Sequence, residues 1–371
     1  MPAAARKAVG PEAPAAMRTM AARGVVPGLK PAELVTVIAV LTQSADTGAA
    51  ATAAQTLRNL PPPMLSGALG ADLDPFVIEQ LSNAYHERAE IVERLLRLPR
   101  LPGEVLESLA ERANEAIGEI IATNEERLLR HPTAIEKLYM NRQVRMSTSD
   151  RLIELAVRNG LELQIPAFHE AAAAIKNELI VEQTAEPTPD DILFRETDAV
   201  AQRTATKGEE DDTHEVDAEG EERVREEFVP LFVQISRMTV TQRIRRATLG
   251  TAAERLLLVR DPNRLVSRAA AKSPLLRESE AVLISGSRSV DEDVLRLLAT
   301  NRELTRNYQV KFNLVSNPKT PFTFSARLIP HLRDNDLKLL AKSKNVSSAV
   351  AQALKQHMSR KQLDQDRQRR R

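Results

Sequence analysis

Among the residue types that do chemistry, this chain holds no cysteine and six histidines. Without Cys there is no thiolate nucleophile, no disulfide framework and no zinc–thiolate or iron–sulfur site. The histidines are His86, His131, His169, His214, His331 and His357, and no two stand four residues apart. His86-Glu87 does not continue into HExxH, so zinc-ligand spacing is missing and all six read as helix-end or surface residues. Phosphate cradles need glycines, yet the 13 in the chain form neither GxxxxGK[ST] nor GxGxxG. Asn317-Pro318-Lys319-Thr320 lacks the glycines of a phosphate loop, and Ser285-Gly286-Ser287 lacks the second Gly of a nucleophile elbow. Asp72 and Asp74 begin like a calcium loop, but Phe76 occupies the next alternate position. The carboxylate groups Glu125-Glu126 and Asp291-Glu292-Asp293 sit where helices should start, and the helix dipole accounts for them. No catalytic, cofactor-binding or metal-binding residue is therefore expected, and the protein reads as a non-enzyme without a cofactor.

What remains is cationic. Arg243, Arg245, Arg246, Arg255, Arg260, Arg264, Arg268, Lys272 and Arg277 crowd one stretch, and Arg302, Arg306, Lys311 and Lys319 follow. The pairs 264/268 and 302/306 are each one helical turn apart and are expected to share a helix face. Arginine predominates, which favours bidentate contact with carboxylate or phosphate. The partner-binding candidates are Arg264, Arg268, Arg302, Arg306, Tyr308, Lys311 and Lys319. Two partners suit such a surface: an acidic protein or nucleic-acid phosphates. The acidic protein is preferred, because Tyr308 is a lone candidate for base stacking and no helix-turn-helix, zinc-finger or RNP pattern is present. A solvated basic face that serves solubility alone is the plainer alternative.

The formal net charge of +1 conceals three unlike segments. Residues 1–180 carry 19 basic and 22 acidic side chains, residues 181–227 carry 5 and 17, and residues 228–371 carry 28 and 12. The net charges are thus −3, −12 and +16. The middle segment is poor in apolar residues and reads as a disordered acidic linker over 184–227. Its apolar island Ile192-Leu193-Phe194 is either a docking motif or part of a helix capped by Asp190 and Asp191. Tethered beside the basic half, the linker is expected to compete with anionic partners. The expected contacts join Glu209, Glu210, Asp211 and Asp212 to Arg302, Arg306, Lys311 and Lys319.

The elements that position these groups read as helices. Apolar residues recur at three- and four-residue spacing, as in Leu106, Leu109, Ala110 and Ala113, and strict alternation is almost absent. Helical segments are expected near 31–41, 52–60, 75–85, 89–98, 104–112, 116–122, 134–140, 150–158, 166–181 and 347–357. Pro31 suits a first helical position, Gly160 a left-handed helix stop, and Thr320-Pro321 an N-cap and first turn. Joints recur at Ser285-Gly286-Ser287-Arg288-Ser289, Thr300-Asn301-Arg302-Glu303-Leu304 and Ser316-Asn317-Pro318-Lys319-Thr320, with Ser343-Lys344-Asn345-Val346 beyond. Gly286, Asn301 and Asn317 are expected to stop helices in the left-handed conformation. Aromatic residues make up 3% of the chain and Trp is absent, so Leu, Val, Ile and Ala must fill the core.

The fold class is all-α. The joint spacing over 89–158 and 239–357 resembles a divergent bacterial HEAT-like α-solenoid, a family that implies a binding scaffold; an irregular helical bundle is the alternative. The expected organisation is a disordered tail (1–30), an N-terminal helical module (31–183), the acidic linker (184–227), a basic helical-repeat module (228–358) and a basic tail (359–371). No apolar run is long enough to span a bilayer, and residues 1–30 lack the apolar core of a secretory signal, so a cytoplasmic location is expected.

Overall fold

The computed structural model describes residues 6, 9, 10, 13–205, 212–217 and 220–369. The chain is all-α: among these residues the exceptions to helix and loop are two three-residue strands. It divides into two compact units, Met1–Gln164 and Ile165–Arg371.

The first unit contains α1 (Ala15–Ala22), α2 (Pro31–Leu41), α3 (Thr47–Arg58), α4 (Pro62–Leu69), α5 (Pro75–Tyr85), α6 (Ala89–Leu96), α7 (Gly103–Arg112), α8 (Glu115–Ala122), α9 (Glu125–Arg130), α10 (Pro132–Met140) and α11 (Met146–Arg158). Local chemistry sets their ends. Pro31 opens α2 and Glu33 accepts from the Lys30 amide at 2.9 Å. Asp46, Asp74 and Asn114 cap α3, α5 and α8. Gly160, at φ 68°, ends α11, and the Leu161 amide reaches back to the Ala156 carbonyl at 2.9 Å. Residues 15–22 lie within the expected tail, yet Ala21 and Ala22 are fully buried there. Pro14 precedes α1 and Pro27 follows it, so the prolines frame this helix instead of breaking it.

The second unit holds α12 (Phe168–Ile175), α13 (Pro189–Ala205), β1 (His214–Val216), β2 (Glu222–Val224), α14 (Val229–Ser236), α15 (Val240–Leu249), α16 (Ala252–Leu258), α17 (Arg264–Ala271), α18 (Glu278–Gly286), α19 (Glu292–Thr300), α20 (Tyr308–Ser316), α21 (Phe322–Leu328), α22 (Asp334–Lys342) and α23 (Ser348–Arg369). Helix α12 packs against α15 and α17, so it belongs with the second unit and does not close the first. The stretch read as linker contains α13 and an antiparallel hairpin, in which His214 pairs with Val224 and Val216 with Glu222. Thr188 and Asp191 cap α13 reciprocally, so the Ile192–Leu193–Phe194 island lies inside a helix. Pro321, not Thr320, precedes the first residue of α21.

In both units, side chains meet partners about one helix pair away. Arg112 reaches Asn83, Arg127 reaches the Leu98 carbonyl and Arg145 reaches Glu115, at separations of 29, 29 and 30 residues. In the second unit Arg264 meets Asp293, Asn307 meets Glu278 and Asn317 meets the Ser285 carbonyl, at 29, 29 and 32 residues. Aliphatic side chains fill the space between, as in the cluster of Val315, Ile329, Leu332, Leu337, Leu340, Val346, Val350 and Leu354.

The joint asparagines are not left-handed. Asn301 and Asn317 have φ/ψ of −76°/111° and −76°/118°, which is extended backbone open to most residues, and Gly286 has no positive φ. Their value lies in the amide. The Asn317 Nδ2 donates to the carbonyls of Ser285 (3.0 Å) and Ser287 (2.7 Å), and its Oδ1 accepts from the Lys319 amide at 3.0 Å. Asn141 repeats the device in the first unit at φ/ψ −79°/116°, donating to the carbonyls of Ala110, Glu111 and Ala113 and accepting from the Gln143 amide.

Much of the arginine run from 243 onward is internal. Arg255 donates to both oxygens of Glu280 at 2.8 and 3.1 Å, and to the Gly250 carbonyl at 2.7 Å. Arg246 pairs with Asp198 at 2.7 Å and Glu254 at 3.5 Å, donates to the Phe194 carbonyl, and lies 4.0 Å from the centre of the Phe194 ring. Gly250 is required here by proximity, because a Cβ would strike the Arg246 carbonyl and come within 2.6 Å of the Glu254 carboxylate.

Four substitutions test these supports. Asn317→Gly and Asn317→Val should each destabilise by roughly 1–3 kcal/mol, since both strip donors from buried carbonyls; Asn301→Gly, at an exposed joint, should cost less than about 1 kcal/mol. Glu280→Ala should cost ~3–5 kcal/mol by stranding the Arg255 guanidinium in the interior. Urea denaturation midpoints and slopes measure all four variants.

Candidate functional site

The structure scatters the seven candidate residues. Arg264 and Arg268 do share a face of α17, but both turn to carboxylates of their own chain. Arg264 binds Asp293, while Arg268 and Lys272 converge on the buried Glu170 at 3.1 and 2.8 Å. Arg302 lies in the turn after α19 and Arg306 ends a 3-10 turn (Leu304–Arg306), so this pair shares no α-helical face. Arg306 is exposed and stands 3.5 Å from Glu303. Tyr308 donates its hydroxyl to Asp336 and accepts from the Arg333 amide, and the Arg333 guanidinium lies 4.5 Å from its ring centre. That ring is engaged by its own chain and is a poor stacking platform for a base. Lys311 is half-buried on α20; Lys319 is exposed on the joint between α20 and α21.

A different set comes together. A groove of about 520 Å³ runs across three joints whose positions are roughly one helix pair apart. Arg288 lines it from the first joint, Phe312 of α20 and Asn317 from beside and within the second, and Leu339 and Lys342 of α22 with Asn345 from beside and within the third. Asn317 holds the first joint to the second through the two carbonyl contacts described above. Leu339 is 61% exposed and supplies apolar surface beside the cations. None of the described lining residues is acidic, and the exposed Lys319 and Lys344 adjoin the lining residues Pro318, Ser343 and Asn345. As helix stops the joints are legible in the sequence; that alternate joints stack into one wall is not, because that alignment depends on helix packing.

The first joint also grips the hairpin. Glu222 Oε1 accepts from the Ser287 hydroxyl (3.0 Å) and from the Arg288 (2.7 Å) and Ser289 (3.4 Å) amides. Its Oε2 accepts from the Ser287 and Ser289 hydroxyls, each at 2.7 Å, and from Arg260 Nε at 3.1 Å. Arg260 Nη2 donates to Asp212 at 3.0 Å. Burial pushes the Glu222 carboxyl up, but hydrogen bonds from Ser287, Ser289 and the Arg288 amide, together with the Arg260 charge, outweigh it and lower it to about 2. Burial and the Arg260 charge lower His214 on β1 to about 4, against the opposing pull of Asp212 and Glu222. Among the described residues, the acidic segment contacts Arg260 and the serine joint. Of the four acidic residues expected to meet Arg302, Arg306, Lys311 and Lys319, Glu209, Glu210 and Asp211 lie outside the described residues, and Asp212 pairs with Arg260.

Among the described residues no three His, Asp or Glu side chains gather so as to hold a metal ion, and no helix is long and apolar enough to cross a membrane. Compared with known protein families, curated proteins and solved structures, the chain matches none.

The hairpin's docking should respond to acid. His214 is neutral when docked and regains its ordinary value near 6.5 when released, so protonation favours release. Docking should be strongest above pH 6.5 and weaken as the pH falls from there towards about 4. Protonation of Glu222 acts in the same direction, from its ordinary 4.5 down to about 2. An NMR titration should place the His214 midpoint near 4 in the native chain and near 6.5 in Glu222→Ala.

Proposed function

We propose that the chain is a non-catalytic, cytoplasmic helical-repeat scaffold of HEAT-like build that binds an acidic protein segment. The observation that carries this reading is the groove over the stacked joints. It sets Arg288 and Lys342 beside the apolar side chains Phe312 and Leu339, with no carboxylate among its described lining residues. Such a mixture suits an extended acidic segment that also carries an apolar side chain: the cations give steering and register, and the apolar floor gives burial. The repeated return of contacts after about one helix pair supports the repeat reading, since stacked helical units bury their faces against immediate neighbours. Asn141 and Asn317 add a shared joint device in the two units.

The test uses the full chain and a fluorescent oligoglutamate peptide containing one leucine, read by fluorescence anisotropy. Arg288→Glu combined with Lys342→Glu should weaken binding by about tenfold or more at low salt, equivalent to ~1.4 kcal/mol. Arg306→Glu, outside the groove, should leave binding unchanged. Equal binding by all three proteins, or tighter binding of a single-stranded oligonucleotide than of the peptide, would overturn the reading.

A further inference from the structure

The joint that lines one end of the groove already holds a carboxylate. Five donors converge on Glu222: the hydroxyls of Ser287 and Ser289, the amides of Arg288 and Ser289, and the Nε of Arg260. This is a receptor for an anionic group, and its walls are fixed independently of its occupant. Arg260 donates to the Leu256 carbonyl at 2.8 Å, the Ser287 amide bonds the Leu283 carbonyl at 3.1 Å, and Asn317 holds the Ser287 carbonyl at 2.7 Å.

The occupant is far less firmly built. Each strand of its hairpin has three residues, and a two-stranded hairpin is marginal in water without a packed face. Val216 is 68% exposed, Val224 is half-buried, and among the described residues of 212–225 Thr213 is the one that is fully buried. Asp212 and Glu222 tie the segment to Arg260 through ionic contacts, for which an anionic partner competes.

We propose that Glu222 is a resident stand-in for the partner: an Asp or Glu side chain of the acidic segment takes the same five donors when the hairpin lifts, and the segment continues past Arg288 into the groove. This rests on the acidic-partner reading above and adds the recognition element and its self-blocking. Because the hairpin is tethered, it competes at high effective concentration, and apparent affinity falls by the fraction of molecules in which the receptor is free.

The experiment again uses the full chain and the oligoglutamate peptide. Glu222→Ala should bind roughly five- to tenfold more tightly than the native chain at low salt, with the gain shrinking above about 0.15 M salt. Adding Ser287→Ala and Ser289→Ala to Glu222→Ala should abolish the gain. In the native chain, saturating peptide should speed hydrogen exchange at the Arg225 amide, which bonds the Thr213 carbonyl at 3.0 Å when the hairpin is closed. That second measurement decides the matter even if a variant fails to fold. Affinity unchanged by Glu222→Ala, a gain that survives loss of both serines, or native-chain exchange unaltered by peptide would each overturn the stand-in. If those results appear while Arg288→Glu/Lys342→Glu still weakens binding, the groove reading stands; if that double variant also binds like the native chain, both readings fall.

Discussion

The side-chain amide of a joint asparagine is the contact on which the candidate site depends. A helix leaves its last carbonyls without partners inside the helix, and a stack of short helices multiplies that problem at every joint. Asn317 answers it for a neighbouring joint by donating to the Ser285 and Ser287 carbonyls while its own oxygen turns the chain through the Lys319 amide. Asparagine suits the task because it carries donors and an acceptor on one short side chain. Aspartate would offer no donor, and glycine nothing at all. Asn141 adopts nearly the same backbone angles and plays the same part in the other unit. Where Asn317 binds, Ser287, Arg288 and Ser289 are presented together: Arg288 lines the groove, while the two serine hydroxyls and the Arg288 amide bind Glu222.

Charge in the second unit divides by depth. The net +16 of residues 228–371 suggests a broad cationic field, yet many of its arginines are spent inside. Arg246, Arg255 and Arg260 are each less than a tenth exposed and face carboxylates, and Arg243 pairs with Asp261 at 2.6 Å. Guanidinium suits such places because its planar set of donors can satisfy a carboxylate and a carbonyl together, as Arg255 does with Glu280 and Gly250. Of the exposed cations, Arg288 and Lys342 line the groove, and Lys319 and Lys344 adjoin its lining residues in the sequence. The acidic segment therefore has a structural role as well as a regulatory one in the proposed scheme: Asp198 of α13 neutralises Arg246, and Asp212 and Glu222 neutralise Arg260.

Several elements were legible residue by residue. Helix α5 spans 75–85 as its apolar spacing indicates, and the stop at Gly160 follows from a conformation that glycine adopts without strain. Others were hidden for identifiable reasons. Helix α13 lies in a strongly acidic stretch whose composition argues against order, and it is held by Arg246 against Phe194, a contact 52 residues away in sequence. The hairpin strands are too short and too charged to alternate recognisably. The joint asparagines were located correctly but assigned the wrong conformation, since the residue's tolerance of left-handed backbone is a local property and its amide bonding is not.

Sequence alone determined the helical class, the aliphatic character of the core, the places where helices stop and the separation of acidic from basic segments. These follow from spacing, capping chemistry and composition, which act over a few residues. Tertiary structure decided which cations are buried and which are free to meet a partner, which joints stand in one row, and which acidic residue occupies the receptor. Arg260 and Arg288 look alike in the sequence; packing buries the first against Asp212 and Glu222 and leaves the second exposed at the mouth of a groove. The difference arises because burial and ion pairing depend on residues brought together from one or more helix pairs away, and no local pattern encodes that distance.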